Sequence, residues 1–297
     1  MKSAPLRAVG FMLLGASSFA AMNAIARSLR ELPWPTLAFA RALLGLLAAL
    51  ALARLRGVSL RVADRRVMWQ RSFFGTVSML CTFYALTHMP LADATALLNT
   101  TPLWIAALAW FTLRERVSWR VSVALAGAFA GVIFVERPGF GVGRLTGLVA
   151  LAAGAFGAAA MVSLRRLSNE TPEAVVVHFS AVASGALALV SAAWLARHDA
   201  IPHVSPSQAL GVVAMGAAAT VGQLAITRAS ALDTAARVGA VGWVQVVIAL
   251  ALDAVVFGHR PEATVMTGIA ALLVAGGLLV EDARREERAV STGARGA

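Results

Sequence analysis

Ten apolar stretches, each about as long as a bilayer crossing, leave this chain few ways to fold. A helix rising 1.5 Å per residue needs about 20 mostly apolar residues to cross a hydrocarbon core. The 297 residues supply such stretches at roughly 7–29, 33–53, 67–88, 91–113, 119–136, 145–164, 172–195, 207–228, 233–257 and 261–281. Breakers lie between them, among them Pro33-Trp34-Pro35, Met89-Pro90, Arg137-Pro138-Gly139, Thr171-Pro172, Pro202 to Pro206 and Arg260-Pro261. These read as short turns. Residues 1–22 also resemble a signal peptide, with Lys2, Arg7 and small residues near Ala20-Ala21, but the apolar run continues to Ala26 and nine more spans follow. The first span is therefore expected to be a helix. The expected fold class is an all-α polytopic membrane protein with ten transmembrane helices. Composition agrees: 59% of residues are hydrophobic and 14% charged, against about 25% charged in a soluble domain. A soluble enzyme and a disordered chain are both excluded by that ratio.

The basic excess has a topological explanation. The net charge is +11, from 25 Arg and the single Lys2 against 15 acids. With the N-terminus in the cytoplasm and ten crossings, 19 positive residues fall on the cytoplasmic side and 6 on the far side. The cytoplasmic set includes Arg54, Arg56, Arg61, Arg65, Arg66, Arg71, Arg228 and Arg237. Only Arg41 is left inside a span. That asymmetry is the positive-inside rule with both termini cytoplasmic. No nucleic acid is needed as a partner.

The two halves repeat each other. Residues 85–95, ALTHMPLADAT, align with 225–235, AITRASALDTA, at an offset of 140, and an offset of 137 sets Pro35-Thr36 against Pro172-Glu173 and Arg41 against His178. Each half holds five spans, an odd number, so the copies must insert with opposite orientation. Inverted repeats are a transporter architecture, with the substrate site near the midplane. The expected units are residues 1–140, residues 141–282 as the inverted copy, and a disordered cytoplasmic tail over 283–297.

FYALTHMPLADATALLNTTPLWIAALAWFTLRERVSW (83–119), with Pro90, Ala92, Ala94, Pro102 and Glu115, is similar to the EamA-type drug/metabolite transporter superfamily. GVIFVERPG (131–139), GQLAITRASAL (222–232) and FARALLG (39–45) fit the same pattern. The second half departs from it at Gly258-His259 and across ARVGAVGWVQ (236–245). The resemblance implies a ten-helix carrier in the bacterial cytoplasmic (inner) membrane, for amino acids, S-adenosylmethionine, flavins or similar amphiphilic metabolites. It also places the third, fourth, eighth and ninth spans around the cavity.

Polar side chains inside a bilayer are expensive and face a cavity or a partner. Arg41 lies about 12 Å below the outer interface at 1.5 Å per residue. It either clamps a carboxylate or phosphate with its planar fork or ties its helix to a neighbour's carbonyls or to Asn23. Cys81, Tyr84 and His88 share one helix face. Thr95 and Asn99 share a stripe near Trp104, and Pro102 frees the carbonyl of residue 98 and kinks that span. Thr220, Gln223 and Thr227 form another face, and Arg237, Val241 and Gln245 a fourth, beside Trp243. Any of these is also able simply to join helices, for under about 2 kcal/mol each. The candidate substrate-binding set is Asn23, Arg41, Tyr84, His88, Asn99, Trp104, Gln223, Trp243 and Gln245. Asp93 and Asp233 read as helix caps. Asp253 either carries a coupling proton or pairs near the outer interface. Gly127-xxx-Gly131 is a close-packing motif.

The expected function is secondary-active transport of a small amphiphilic metabolite by alternating access, without cofactor or metal. The alternatives are a multidrug-type exporter and a polytopic acyl or phosphoryl transferase. An enzyme needs clustered acids, histidines or a nucleophile beside a base, and the five histidines are scattered. The expected partners are the solute and the lipid bilayer, with a homodimer left open.

Overall fold

The computed structural model describes residues 4–29, 31–88, 97–114, 118–136, 144–198, 204–257 and 263–293. Eleven helices are described: α1 (Pro5–Ser28), α2 (Trp34–Leu55), α3 (Arg65–His88), α4 (Thr101–Leu113), α5 (Trp119–Glu136), α6 (Arg144–Arg166), α7 (Pro172–His198), α8 (Pro206–Leu232), α9 (Ala235–Val241), α10 (Val244–Phe257) and α11 (Ala263–Gly293). No strand occurs among the described residues. Proline opens α1, α2, α4 and α8, where a missing N–H costs nothing. Ser205 and Gln208 close a capping box on α8, each side chain accepting the other's backbone N–H.

Seven helical segments are long and apolar enough to cross a membrane, counting α9–α10 over Ala235–Leu252 as one; α4 and α5 are shorter apolar helices. The interior is built from small residues, with Ala38, Ala49, Ala109, Ala150, Ala158 and Ala183 all at 0% exposure. Large apolar side chains point outward instead: Leu55, Phe111 and Val255 are 86%, 72% and 84% exposed. That inversion suits lipid, where helices associate through close packing rather than escape from water. Gly15 shows the closeness: a Cβ there would sit 2.8 Å from Ile226 of α8. Gly131 of α5 faces the carbonyl of Gly268 on α11 at a similar distance, whereas Gly127 meets nothing. Half of the GxxxG motif is therefore a crossing point.

The main packed pairs are α1–α8, α3–α6, α5–α11 and α2–α7, followed by α1–α10, α2–α8, α4–α6, α3–α7 and α4–α9. Hydrogen bonds tie alternate helix ends together at one end of the bundle. There Ala4 N–H donates to Leu232, Arg56 reaches Glu173 (2.9 Å), Ala63 N–H reaches Glu170 (2.9 Å) and Ser118 reaches Asp282 (3.0 Å). At the other end Gln208 donates to Glu31. Neighbouring helices thus run in alternating directions.

Two features differ from the sequence reading. The ninth span is not one helix: α9 ends at Val241 and α10 begins at Val244. Bonds of the i→i+3 kind from Gly242, Trp243, Gln245 and Val246 tighten the join. Gly242 and Trp243 break the helix without a proline to announce it. In addition, α11 runs past Glu281 to Gly293, through the segment assigned to the tail.

Candidate functional site

Arg41 sits in the apolar run FARALLG, where nothing stops the helix, so α2 carries a guanidinium into the bundle. A narrow cleft of about 20 Å³, room for about one water, opens beside it between α2, α3, α7 and α8. Small residues (Ala42, Gly45, Ala219) make the space, and Arg41, Ser180, Thr220 and Gln223 supply its polar lining. Thr220 returns its hydroxyl to the Gly216 carbonyl on its own helix at 2.8 Å. The Arg41 Nη1 donates only to the Met79 sulfur, at 3.0 Å, and its Cζ lies 5.6 Å from the Phe19 ring centroid. A guanidinium has five N–H donors, and a thioether is a weak acceptor. Neither Asn23 nor a carboxylate meets Arg41 among the described residues.

Phe179 forms another wall of this cavity. The same ring carries a second guanidinium: Arg71 Cζ lies 4.3 Å from its centroid. Arg71 is not the loop cation the charge pattern suggested. It lies within α3 at 4% exposure, and its Nε and Nη1 have no acceptor. Beside it, Ser72 Oγ and His178 Nδ1 are 2.8 Å apart, and Trp69 meets the His178 ring edge-on. The nearby carboxylate of Glu173 is taken by Arg56 (2.9 Å) and Arg228 (3.5 Å).

A third buried arginine is paired with carboxylates. Arg237 of α9 reaches both oxygens of Asp233 at 2.8 Å and Asp282 of α11 at 2.8 Å. Ser118 holds the other Asp282 oxygen. Asp233 closes α8 rather than opening α9, whose N-cap is Thr234; it accepts the Thr234 N–H, and its chief partner is Arg237. The sequence reading counted Arg237 with the solvent-facing cations; it is 5% exposed.

The interrupted spans meet each other. Pro102 leaves the Leu98 carbonyl without a backbone donor, and Thr101 Oγ1 takes it at 2.6 Å. Helical geometry lapses at Asn99-Thr100. The Asn99 carbonyl accepts from Trp243 Nε1 at 2.9 Å, and Trp243 is 3% exposed. The break in one half is thus bonded to the break in the other.

Of the nine residues proposed from sequence, Arg41 and Gln223 line the cavity together. Asn99 and Trp243 meet at the paired breaks, with Gln245 half-buried one turn away. Tyr84 and His88 stack at 4.1 Å at the end of α3, with His88 exposed. Asn23 and Trp104 are exposed, with Trp104 lying against Gly154 of α6. Asp93, Thr95 and the side chain of Asp253 lie outside the described residues. Sequence reasoning missed Arg71, Ser72 and Phe179; the available signal was Arg71 standing in an apolar run beyond Arg65-Arg66. Among the described residues, no three His, Cys, Asp or Glu side chains are grouped to hold a metal.

Residues 6–137 match the model of the EamA-like transporter family. The pseudopaline exporter CntI of Pseudomonas aeruginosa is 28% identical over 284 residues, 94% of each chain. The riboflavin transporter of Vibrio cholerae is 25% identical over 185 residues, 60% of this chain and 62% of the other. Human solute carrier family 35 member G1 is 24% identical over 204 residues, 64% and 55% of the two chains. A solved structure at 20% identity superposes with a TM-score of 0.81 over 94% of this chain and 98% of its own. That likeness concerns the fold.

Proposed function

We propose that the chain, a transporter rather than an enzyme and a multi-pass protein of the bacterial inner membrane, is an EamA-type secondary carrier of the drug/metabolite transporter superfamily, moving a small amphiphilic metabolite by alternating access. The observation that carries this reading is a symmetry in the helix pairing. Exchange α1 to α5 for α6 to α11, counting α9 and α10 together as the counterpart of α4. The pair α1–α8 becomes α6–α3, α1–α10 becomes α6–α4, and α2–α8 becomes α7–α3; α2–α7, α4–α9 and α5–α11 map onto themselves. Each of these main pairs maps onto a packed pair, whereas among the described residues the weaker α1–α11 contact maps onto α6–α5, which do not pack together. Such a pattern supports two five-span repeats, residues 1–140 and 141–282, inverted because five is odd. Both termini then lie at the cytoplasmic face, with the basic helix ends that meet around Glu173.

In this reading the halves rock about the cavity beside Arg41 and Gln223. The bonded breaks at Asn99 and Trp243 supply the joint, since irregular backbone at membrane depth is tolerated where protein or a wet cavity surrounds it. The candidate solutes are amino acids, S-adenosylmethionine and flavins. The relative matched along its full length is named an exporter, which favours outward movement.

Counterflow in proteoliposomes tests the proposal. Vesicles preloaded with one unlabelled solute of the panel are expected to accumulate its labelled form transiently. A folded, correctly inserted sample that exchanges no member of a panel of amino acids, flavins and S-adenosylmethionine would sink the carrier reading.

A further inference from the structure

Arg71 invites a use beyond topology. A cation kept only to mark the cytoplasmic side reaches back to water, its stem lying along the apolar surface. Arg71 does the opposite. Its Nη1 occupies the space that a Cβ on Gly75 would need, one turn further along α3 from the end where the helix begins. The guanidinium therefore turns toward the centre of the bundle. Arg71, Gly75 and Met79 follow one another at i, i+4 and i+8, a single face of α3. Met79 at the far end of that stripe is the residue Arg41 touches. Opposite it stands Phe179, which lines the Arg41 cavity and also stacks against Arg71. The Arg71 guanidinium, at the level of Gly75, lies four residues of α3, about 6 Å of rise, from Met79, which Arg41 touches.

A cation kept for structure has a carboxylate, as Arg237 has two. Arg71 has a ring face, which satisfies no N–H, and Nε and Nη1 remain without acceptors. Arg41 has a sulfur. Two guanidiniums on one path, Arg71 buried and Arg41 half-buried, meet no carboxylate among the described residues and call for a negative charge brought from outside. Planar forks of this kind take carboxylates in bidentate fashion.

We infer that Arg71 is the second of two anion-holding stations along one route, and that the carried solute is an organic anion bearing at least one carboxylate. Arg41 holds the carboxylate at the centre, and Arg71 receives it nearer the end where α3 begins. Phe179 stands between the stations, and Ser72 with His178 edges the second. The inference rests on the transport reading and narrows its substrate class.

The test uses the full chain in phosphatidylcholine liposomes, with labelled glutamate, succinate and citrate as acidic probes and leucine, lysine and riboflavin as the comparison set. At least one acidic probe is expected to exchange. Arg71→Gln should weaken its apparent affinity about ten-fold or more, and Arg71→Lys should restore part of it, since the lost contact is a buried charge pair. A second readout separates a ligand site from a structural tie. Without solute, Arg71→Gln should melt at or above the wild-type temperature, and it should lose the upward shift that the acidic probe gives the wild type. If only leucine, lysine or riboflavin exchanges, the carrier stands and the anion assignment falls. If none of the six exchanges, the carrier reading falls with it. An Arg71→Gln protein that handles acidic probes like the wild type overturns the second station. So does one that loses only a co-purified anionic lipid in native mass spectrometry, because the site would then belong to a headgroup.

Discussion

Arg237 and Arg71 are almost equally buried, at 5% and 4% exposure, yet the protein treats them in opposite ways. Around Arg237 the chain brings two carboxylates to 2.8 Å and adds the Ser118 hydroxyl behind one of them. Around Arg71 it brings a phenyl ring and leaves two nitrogens without acceptors. Desolvating a charge costs several kcal/mol in either place. At Arg237 that cost is offset inside the protein, so the cluster fastens α8, α9, α11 and the start of α5. At Arg71 no carboxylate among the described residues offsets it, and the same holds at Arg41. A buried guanidinium paired with carboxylates marks a structural tie, and one without them marks a place where a ligand's charge belongs.

The largest effect is expected where the closed cluster is opened. Asp282→Ala removes one of the two carboxylates on Arg237 and strands the Ser118 hydroxyl. Breaking a buried pair in this way costs about 3–5 kcal/mol. Urea or thermal unfolding in detergent should show that loss, together with poor recovery of folded protein. A stability change under about 1 kcal/mol would mean that the cluster is not the tie its geometry suggests.

Arg41→Gln comes next, and it should move function rather than stability. Arg41 gives up one sulfur contact and a distant ring face, so unfolding should shift by under about 1 kcal/mol. Solute exchange should fall about ten-fold or more if a carboxylate is held there. The comparison breaks if the variant unfolds as readily as Asp282→Ala while residual folded protein transports normally. Arg41 would then be a tie like Arg237.

Phe179→Leu should give a smaller change, about 1 kcal/mol. It keeps most of the apolar volume and removes the ring face under Arg71, a contact worth roughly 0.5–2 kcal/mol at a desolvated site. A loss much larger than that, read by the same unfolding assay, would show that the ring stands in for a counter-ion.

The contrast between the two arginine sites was only partly legible in the sequence. The spans were, because about 20 apolar residues between prolines have one economical reading in a bilayer. Arg41 was visible for the same reason, as a lone cation inside a span. Arg71 was hidden by its neighbours: six residues after Arg65-Arg66, it reads as the last of a basic run at a membrane edge. Asp233 and Arg237 stand at i and i+4, which periodicity can pair, but Asp282 comes from 45 residues further on and only packing delivers it. The join at Gly242-Trp243 carries no proline, so hydropathy sees one span where the backbone makes two helices. Asn99 and Trp243 could be singled out as polar groups at depth. That one is bonded to the other depends on how the halves cross.

The smallest effect isolates burial from charge on a single helix. Glu281 and Asp282 are adjacent on α11, both acidic and both within reach of an arginine. Glu281 bonds Arg285 at 2.9 Å, with the two side chains 44% and 58% exposed, whereas Asp282 is 8% exposed. An exposed i, i+4 pair contributes about 0.3–0.5 kcal/mol and is screened by salt. Glu281→Gln should therefore shift unfolding by no more than about 0.5 kcal/mol at low salt, and by less at 1 M salt, where the Debye length is about 3 Å. Asp282→Asn, an equally conservative change one residue away, should cost several times as much and respond little to salt. Equal costs at the two positions would mean that charge number at this end of the bundle matters and burial does not. The distinction between closed and open arginine sites would then lose its physical basis.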